Sequence, residues 1–107
     1  MAEPTPLSVE LDIFSGQPNP SWTLAERDAA EFMRRVEGLP ETEREFAPPG
    51  LGYRGFLISG LPETTSCRVF GGIVACSGAA GERRFEDTRG TEQWLLDQAE
   101  QRGWPVP

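Results

Sequence analysis

Residues 65–78, "TSCRVFGGIVACSG", have the spacing of a β-hairpin centred on two adjacent glycines. Gly71 and Gly72 can both adopt the positive φ angles that a two-residue type I′ turn requires. Counting outward from this turn gives the facing pairs Phe70–Ile73, Val69–Val74, Arg68–Ala75 and Cys67–Cys76. Side chains alternate between the two faces of a strand, so one face of the hairpin is apolar. This stretch therefore predicts an antiparallel sheet with a defined register.

The segments on either side extend the hairpin into a meander. "GFLIS", residues 55–59, is predicted as a short buried strand before it. A looser turn at 78–81 would bring "ERRFED", residues 82–87, back alongside the second strand of the hairpin. In that register Phe85 faces Val74 and joins the apolar side.

The N-terminal stretch "LSVELDIF", residues 7–14, alternates apolar and polar side chains. Strict alternation of this kind is typical of a half-buried strand. The apolar set is Leu7, Val9, Leu11 and Ile13, and the polar set is Ser8, Glu10 and Asp12. The pattern stops at Ser15 and Gly16, where the strand is predicted to end.

Two helices are predicted from periodicity and from helix-end signals. The first runs from near Leu24 to near Glu37, with Thr23 and Glu26 as a capping box and Gly38 just past its end. The second follows Thr91, which we interpret as its N-cap, and ends before Gly103. Residues 40–54 lack any period and are predicted to form a long loop.

These elements predict a single α+β domain over residues 1–107, with short tails at 1–5 and 104–107. The order is β-α-β-β-β-β-α, which favours a mostly antiparallel sheet with both helices packed on one face. A fold with the helices on opposite faces is the alternative.

The charge of the chain bounds its partners. The net charge of −7 disfavours nucleic acid and anionic membrane surfaces, because binding either needs a positive patch. The N-terminus has no signal-peptide pattern, and no apolar run reaches the ~20 residues of a membrane span. We therefore expect a cytoplasmic protein with reduced thiols.

The ten basic residues are all arginine, and the chain has no lysine or histidine. Histidine-dependent triads, lysine Schiff bases and histidine zinc sites are therefore excluded. Glu10 and Asp12 share a strand face and could form an acid–base pair or a hard-metal site. We interpret them as a solvated strand face, and predict a protein that is not an enzyme, with no catalytic residues, no metal and no cofactor.

Cys67 and Cys76 are the chemically soft pair of the sequence. In the predicted register they form a non-hydrogen-bonded pair with Cα atoms about 4.5 Å apart, within the range that a disulfide accepts. The preferred interpretation is two buried thiols acting as small apolar groups. A disulfide and a two-thiolate soft-metal site are the alternatives.

"FSGQPNPSWTL", residues 14–24, is either a stiff corner or a recognition loop. Pro18 and Pro20 fix φ and favour extended conformations in the residues before them. The candidate contact residues on this rigid frame are Ser15, Gln17, Asn19 and Trp22, beside a helix N-terminus with unpaired N–H groups.

The same stretch resembles the opening motif F-S-G-R-x-N-P-x-W-x-L of a small family of bacterial and fungal proteins of unassigned activity. "EQWLL", residues 92–96, is also similar to that family. Gln17 stands where the motif has arginine, so a role of that arginine would not transfer. The resemblance implies no activity or ligand.

The sequence thus predicts a non-enzymatic protein-interaction or binding module, of the kind of a small acidic accessory or immunity protein. Its acidity favours a basic protein partner, since complementary charge speeds encounter. The alternative is a thiol/disulfide or soft-metal protein using Cys67 and Cys76. An enzyme using carboxylates near residues 14–24 is a third hypothesis.

Overall fold

The structure is a computed structural model that describes residues 6–13, 18–50, 52–61, 66–79 and 81–104. Within those residues it is a six-stranded antiparallel sheet with two helices, in the strand order β2-β1-β3-β4-β5-β6. The elements are β1 (Ser8–Leu11), β2 (Ser21–Thr23), α1 (Glu26–Val36), β3 (Phe56–Ser59), β4 (Ser66–Phe70), β5 (Ile73–Gly78), β6 (Gly81–Glu86) and α2 (Thr91–Gln101). The predicted α+β class and order of elements are confirmed, with β2 as an additional short strand.

The β4–β5 hairpin has the predicted register. Phe70 faces Ile73, and the pairing continues without a bulge to Cys67 opposite Cys76. Gly71 and Gly72 have φ angles of 63° and 80°, as the tight turn requires. β6 returns beside β5 and places Phe85 opposite Val74, also as predicted.

The core lies between one face of the sheet and both helices. Alternate residues of the central strands, such as Leu11, Ile58 and Val69, are fully buried on that face. Phe32 of α1 and Leu95 of α2 belong to the same apolar cluster, so both helices pack on this face. Burying apolar side chains of this size contributes roughly 1.5–3 kcal/mol each, which makes this face the main source of stability.

Residue 104, predicted as the start of the C-terminal tail, belongs to the packed domain. Trp104 is packed against the apolar cluster, and its backbone N–H donates to the carbonyl of Ala99 (3.0 Å). The predicted tail residues 1–5 and 105–107 lie outside the described part of the chain.

The predicted capping box at the start of α1 is wrong. Thr23 belongs to β2, where it faces Ser8, and α1 begins at Glu26 after Ala25, which makes no side-chain capping bond. The three residues of β2 are too short for a periodic signal, and a threonine three residues before a glutamate resembles a cap. Pairing with β1 therefore overrides the local capping preference of Thr23.

The predicted cap of α2 is also replaced by another residue. Thr91 is completely buried, while the carboxylate of Asp87 accepts from the backbone N–H groups of Thr91 (2.8 Å) and Glu92 (2.9 Å). Gly90, between them, adopts a left-handed φ of 66°. Asp87 is thus the group that satisfies the helix N-terminus.

Glu92 then ties α2 to the hairpin turn. Its carboxylate accepts from the hydroxyl of Tyr53 (2.6 Å) and from the backbone N–H of Gly72 (3.2 Å). Burial, followed by this hydrogen bond, raises the pKa of the Tyr53 phenol well above its usual value. Tyr53 therefore remains a hydrogen-bond donor at every physiological pH.

The long loop between α1 and β3 crosses the face of the sheet opposite to the helices. Its Phe46 ring packs edge-on against Phe70 at 6.5 Å. At its start, Thr42 N–H donates to Arg84 O (2.9 Å) and Glu86 N–H donates to Pro40 O (2.8 Å). The beginning of the loop thereby pairs with the outer edge of β6.

Gly55 is a point of close backbone approach between this loop and β4. Its φ is 95°, and an added Cβ would overlap Val69 O and lie 2.7 Å from the Cβ of Phe70. Gly81 has a similar φ of 105° but open space around it. Gly55→Ala should therefore lower the free energy of unfolding by about 3 kcal/mol or more, from strain plus overlap.

Gly81→Ala is the matched control, because it carries the backbone strain without the overlap. It should cost about 1 kcal/mol in urea unfolding. Equal losses for the two variants would contradict the close approach of Gly55 to β4.

A candidate binding cleft on the open face of the sheet

Small hydroxyl side chains cross the whole sheet on the face that the helices leave uncovered. The register aligns them in one row, one residue from each strand, ending in an acid at β6. The row is Thr23, Ser8, Ser59, Ser66, Ser77 and Glu82. Three residues of this row, Ser66, Ser77 and Glu82, line a concavity on this face.

A cleft of about 380 Å³ lies at one part of this face. Its floor consists of small residues of β4 and β5, namely Ser66, Ala75 and Ser77. The loop supplies an apolar wall, and charged side chains supply the rest. The wall is Phe46, Pro48 and Pro49, and the charged residues are Asp12, Arg54, Arg68 and Glu82. Its volume falls in the range of small-ligand sites.

The loop wall is held in place by a fork-shaped ion pair. Arg44 donates from Nε and Nη2 to the two carboxylate oxygens of Glu86, each at 2.8 Å. Hydrogen bonds from Arg44, and then from Thr42, lower the pKa of Glu86 to about 2. Arg84 adds a bond to the carbonyl of Arg44 (2.8 Å). These contacts keep the wall in position before any ligand arrives.

Asp12 organises the opposite side of the cleft. Its Oδ1 accepts from Arg54 Nε (3.2 Å) and Nη2 (2.8 Å), and its Oδ2 lies 3.5 Å from Arg68 Nη1. Arg54 also donates to the carbonyl of Gly50 (2.8 Å). The carboxylate thus holds Arg54 closely, whereas its contact with Arg68 is long.

Arg68 is the more accessible of these two arginines. Its side chain is 45% exposed, compared with 22% for Arg54. Among the described residues, its one ionic contact is the long approach to Asp12. Arg68 can therefore meet a ligand while Arg54 stays committed to the protein.

Asn19, a predicted contact residue, is hydrogen-bonded to acidic residues at the side of the cleft. Its Oδ1 accepts from the backbone N–H of Ile13 (3.1 Å). Its Nδ2 donates to the carboxylates of Glu10 (2.9 Å) and Asp12 (3.2 Å). Asn19 therefore positions Asp12, which in turn contacts Arg68. Its bond to Ile13 N–H also joins residue 19 to the residues that follow β1.

Trp22, the second described member of that set, lies on the other face of the sheet. It is half-buried, its Nε1 donates to Gln98 Oε1 (3.2 Å), and its ring meets Phe56 edge-on at 6.2 Å. Arg102 lies over the ring at 5.1 Å. The structure therefore does not bring Trp22 together with Asn19, and Ser15 and Gln17 lie outside the described residues.

Cys67 and Cys76 form a disulfide, with Cα atoms 4.0 Å apart. The predicted facing pair is confirmed, whereas the preferred interpretation of two reduced thiols differs from the structure. Close facing of the two residues across a tight hairpin brings the sulfur atoms within bonding distance. The bond lies on the core side of the sheet, because Cys67 is 2% exposed and belongs to the apolar cluster.

A second concavity, of about 470 Å³, lies at the C-terminal end of α1. Its arginines are engaged within the protein. Arg89 donates to the carbonyls of Arg34 and Glu37, and both Arg34 and Arg35 pair with Glu31. Cations near carbonyl groups stabilise a helix end, so this cluster is explained as a cap of α1.

Sequence patterns missed most of the cleft. The alternation along the hairpin predicts that Arg68 points away from the core, which is a usable signal. The alternation along residues 7–14 predicts that Glu10 and Asp12 share one strand face. Nothing in the pattern of residues 40–54 indicated that Phe46 and Pro48 cross that face. Arg54 lies in the same loop, and its pairing with Asp12 depends on tertiary contact.

No helix among the described residues is both long and apolar enough to cross a membrane. No group of three or more histidine, cysteine or acidic residues in that part of the chain is arranged to hold a metal ion.

Asn19→Ala should lower the free energy of unfolding by about 1–2 kcal/mol, because it removes the acceptor of Ile13 N–H and a hydrogen-bond donor to Glu10 and Asp12. Ser21→Ala, an exposed change two residues away, should stay within about 0.5 kcal/mol. Urea unfolding of both variants measures the difference. If Asn19→Ala is as mild as Ser21→Ala, these hydrogen bonds do not stabilise the fold.

Comparison with protein-family models, with curated proteins and with solved structures finds no match to this chain.

Proposed function

We propose that the protein is a non-enzymatic binding module that takes a segment of a protein partner into the cleft. The observation that carries this proposal is the exposed Arg68 fixed beside a floor of small side chains and an apolar loop wall. A preformed concavity with few polar groups at defined positions is typical of a binding site.

A protein partner fits the charge of the molecule better than a nucleic acid does. The net charge of −7 repels phosphate backbones and anionic membranes, and it attracts a partner with basic surface around its binding segment. Glu82 lines the cleft and can meet such basic residues. A small acidic accessory or immunity protein acts in this way.

The chemistry of the side chains supports binding rather than catalysis. With no histidine or lysine in the chain, general acid–base work falls to carboxylates. Asp12 is already paired with arginines, and Glu10 accepts from Asn19. The proposal accordingly includes no cofactor and no metal.

We also propose that the protein is cytoplasmic and that it belongs to the small family with the F-S-G-R-x-N-P-x-W-x-L motif. The family membership rests on residues 14–24 and 92–96 and implies no activity.

A photo-crosslinking amino acid placed at Pro49, an exposed residue of the cleft wall, should capture the partner in living cells without filling the cleft floor. The same amino acid at Arg27, exposed on α1, is the control for nonspecific contact. We expect one protein adduct from position 49, identified by mass spectrometry, and none of that adduct from position 27. Adducts that are absent, or equal from both positions, would contradict a partner in the cleft.

A second candidate function is a thiol–disulfide couple, which the Cys67–Cys76 bond favours. Cytoplasmic thiol systems keep most cysteines reduced, so a disulfide there would be reversible. A thiolate reductant attacks one sulfur, and a second thiolate completes a two-electron reduction that leaves two protonated thiols and an oxidised reductant. Cys76 is the half-buried member and the easier sulfur to reach.

Reduction of this bond should lower the free energy of unfolding by roughly 2–3 kcal/mol, the loss for opening a short loop. Urea unfolding with and without dithiothreitol measures it, and the double variant Cys67→Ala/Cys76→Ala should not respond to the reductant. Trapping of free thiols in cells, before and after an oxidant pulse, tests reversibility. A bond that stays fully oxidised in both states, or fully reduced in both, excludes a redox function.

A further inference from the structure

We propose that the group recognised in the cleft is a carboxylate carried on an apolar side chain or ring, with Arg68 as its partner. This inference rests on the proposed function and names the chemistry of the partner segment. It follows from the geometry of Arg68, from the apolar wall, and from the negative charges that border the cleft.

Arg68 presents a guanidinium fork that the protein uses weakly. Its cross-strand neighbours are Leu57 and Ala75, so the residue directly opposite it on β5 carries only a methyl group. The single approach to Asp12 Oδ2 is 3.5 Å, longer than a usual charged hydrogen bond. Two parallel N–H donors of a guanidinium match the two oxygens of a carboxylate.

The apolar part of the ligand has a place next to this fork. Phe46, Pro48 and Pro49 stand over the floor that Ala75 forms with two serines. Phe46 is braced by Phe70, so the wall is stiff. A phenyl or branched aliphatic group of the ligand fills the space between wall and floor, and the hydroxyls of Ser66 and Ser77 can bond its polar atoms.

The charges around the cleft favour a ligand group that carries a single negative charge. Asp12 and Glu82 line the same cleft, and Glu10 is joined to Asp12 through Asn19. A phosphate monoester carries close to two negative charges at neutral pH and would meet this repulsion twice. A carboxylate carries one charge and matches the one available guanidinium.

The test is a titration followed by ¹⁵N–¹H NMR, reading the backbone amides of Ser66, Ala75 and Ser77. The probes are N-acetyl-phenylalanine, which has a C-terminal carboxylate, and N-acetyl-aspartyl-phenylalaninamide, which has a side-chain carboxylate. N-acetyl-phenylalaninamide is the neutral control, and inorganic phosphate, with all titrations run at about pH 8 where it is mainly the dianion, is the dianion control. We expect saturable shifts at these amides with one or both acids and none with the two controls.

Binding of the C-terminal acid alone identifies a chain terminus as the ligand, and binding of the aspartyl probe identifies an internal acidic residue. Both results support the proposal. Arg68→Gln should lower the affinity for the acid by about tenfold or more, because a charged hydrogen bond is lost. Arg27→Gln makes the same change in charge on the helix side and should leave the affinity within about twofold.

Ser77→Leu provides a second variant, since it fills the cleft floor without changing charge and should abolish the shifts. The proposal is overturned if neither acid causes shifts, or if the neutral amide or phosphate binds as well as the acids. It is also overturned if Arg68→Gln keeps its NMR spectrum and binds the acid unchanged. If a partner is crosslinked through position 49 while neither acid binds, the carboxylate is overturned and the protein partner is retained. If an acid binds but no partner is crosslinked, the protein partner is contradicted and the carboxylate site is retained.

Discussion

The register of β4 against β5 is the constraint on which both faces of the protein depend. Because side chains alternate with a period of two, a slip of one residue would exchange the faces of one strand. Cys67 and Val69 would then leave the core, and Arg68 would enter it beneath the helices. The turn at Gly71 and Gly72 prevents that slip, and the disulfide between Cys67 and Cys76 fixes the same register covalently.

Asp12 has the corresponding role at the N-terminal side of the sheet. It stands just after β1, where the chain turns away, and it collects contacts from three distant segments. Asn19, Arg54 and Arg68 come from the segment after β1, the long loop and β4 respectively. A buried or half-buried carboxylate needs such partners to remain charged at low cost. The contacts of Asp12 thus join these three segments and include Arg68 in the same cluster.

The sequence was most informative where local pattern and tertiary structure agree. The hairpin, its register and the facing cysteines followed from two glycines and the alternation around them. The same reasoning failed at Thr23 and Thr91, where residues typical of helix caps are used in a strand and in the core. Local preferences of about 1 kcal/mol are easily outweighed by strand pairing and by burial.

The candidate site was harder to predict than the fold. Asn19 was singled out as a surface contact, whereas its side chain is bonded to Glu10, Asp12 and Ile13. Arg68 was placed correctly on the polar face, but its importance depends on a loop that carries no periodic signal. Contacts between Arg54 and Asp12, or between Phe46 and Phe70, join residues far apart in the chain. Such contacts are consequences of the assembled fold.

The short pairing of the long loop with β6 has a consequence for how this protein behaves at high concentration. An open sheet has two edges, and unpaired edge groups can recruit a second sheet and start aggregation. One edge here is β2, which is three residues long, and the other is β6, whose C-terminal half is occupied by residues 40–42. The rest of β6 carries Glu82 and Arg83, charges that a neighbouring strand would have to accommodate. The sheet is thereby protected from growing into a fibril at either end.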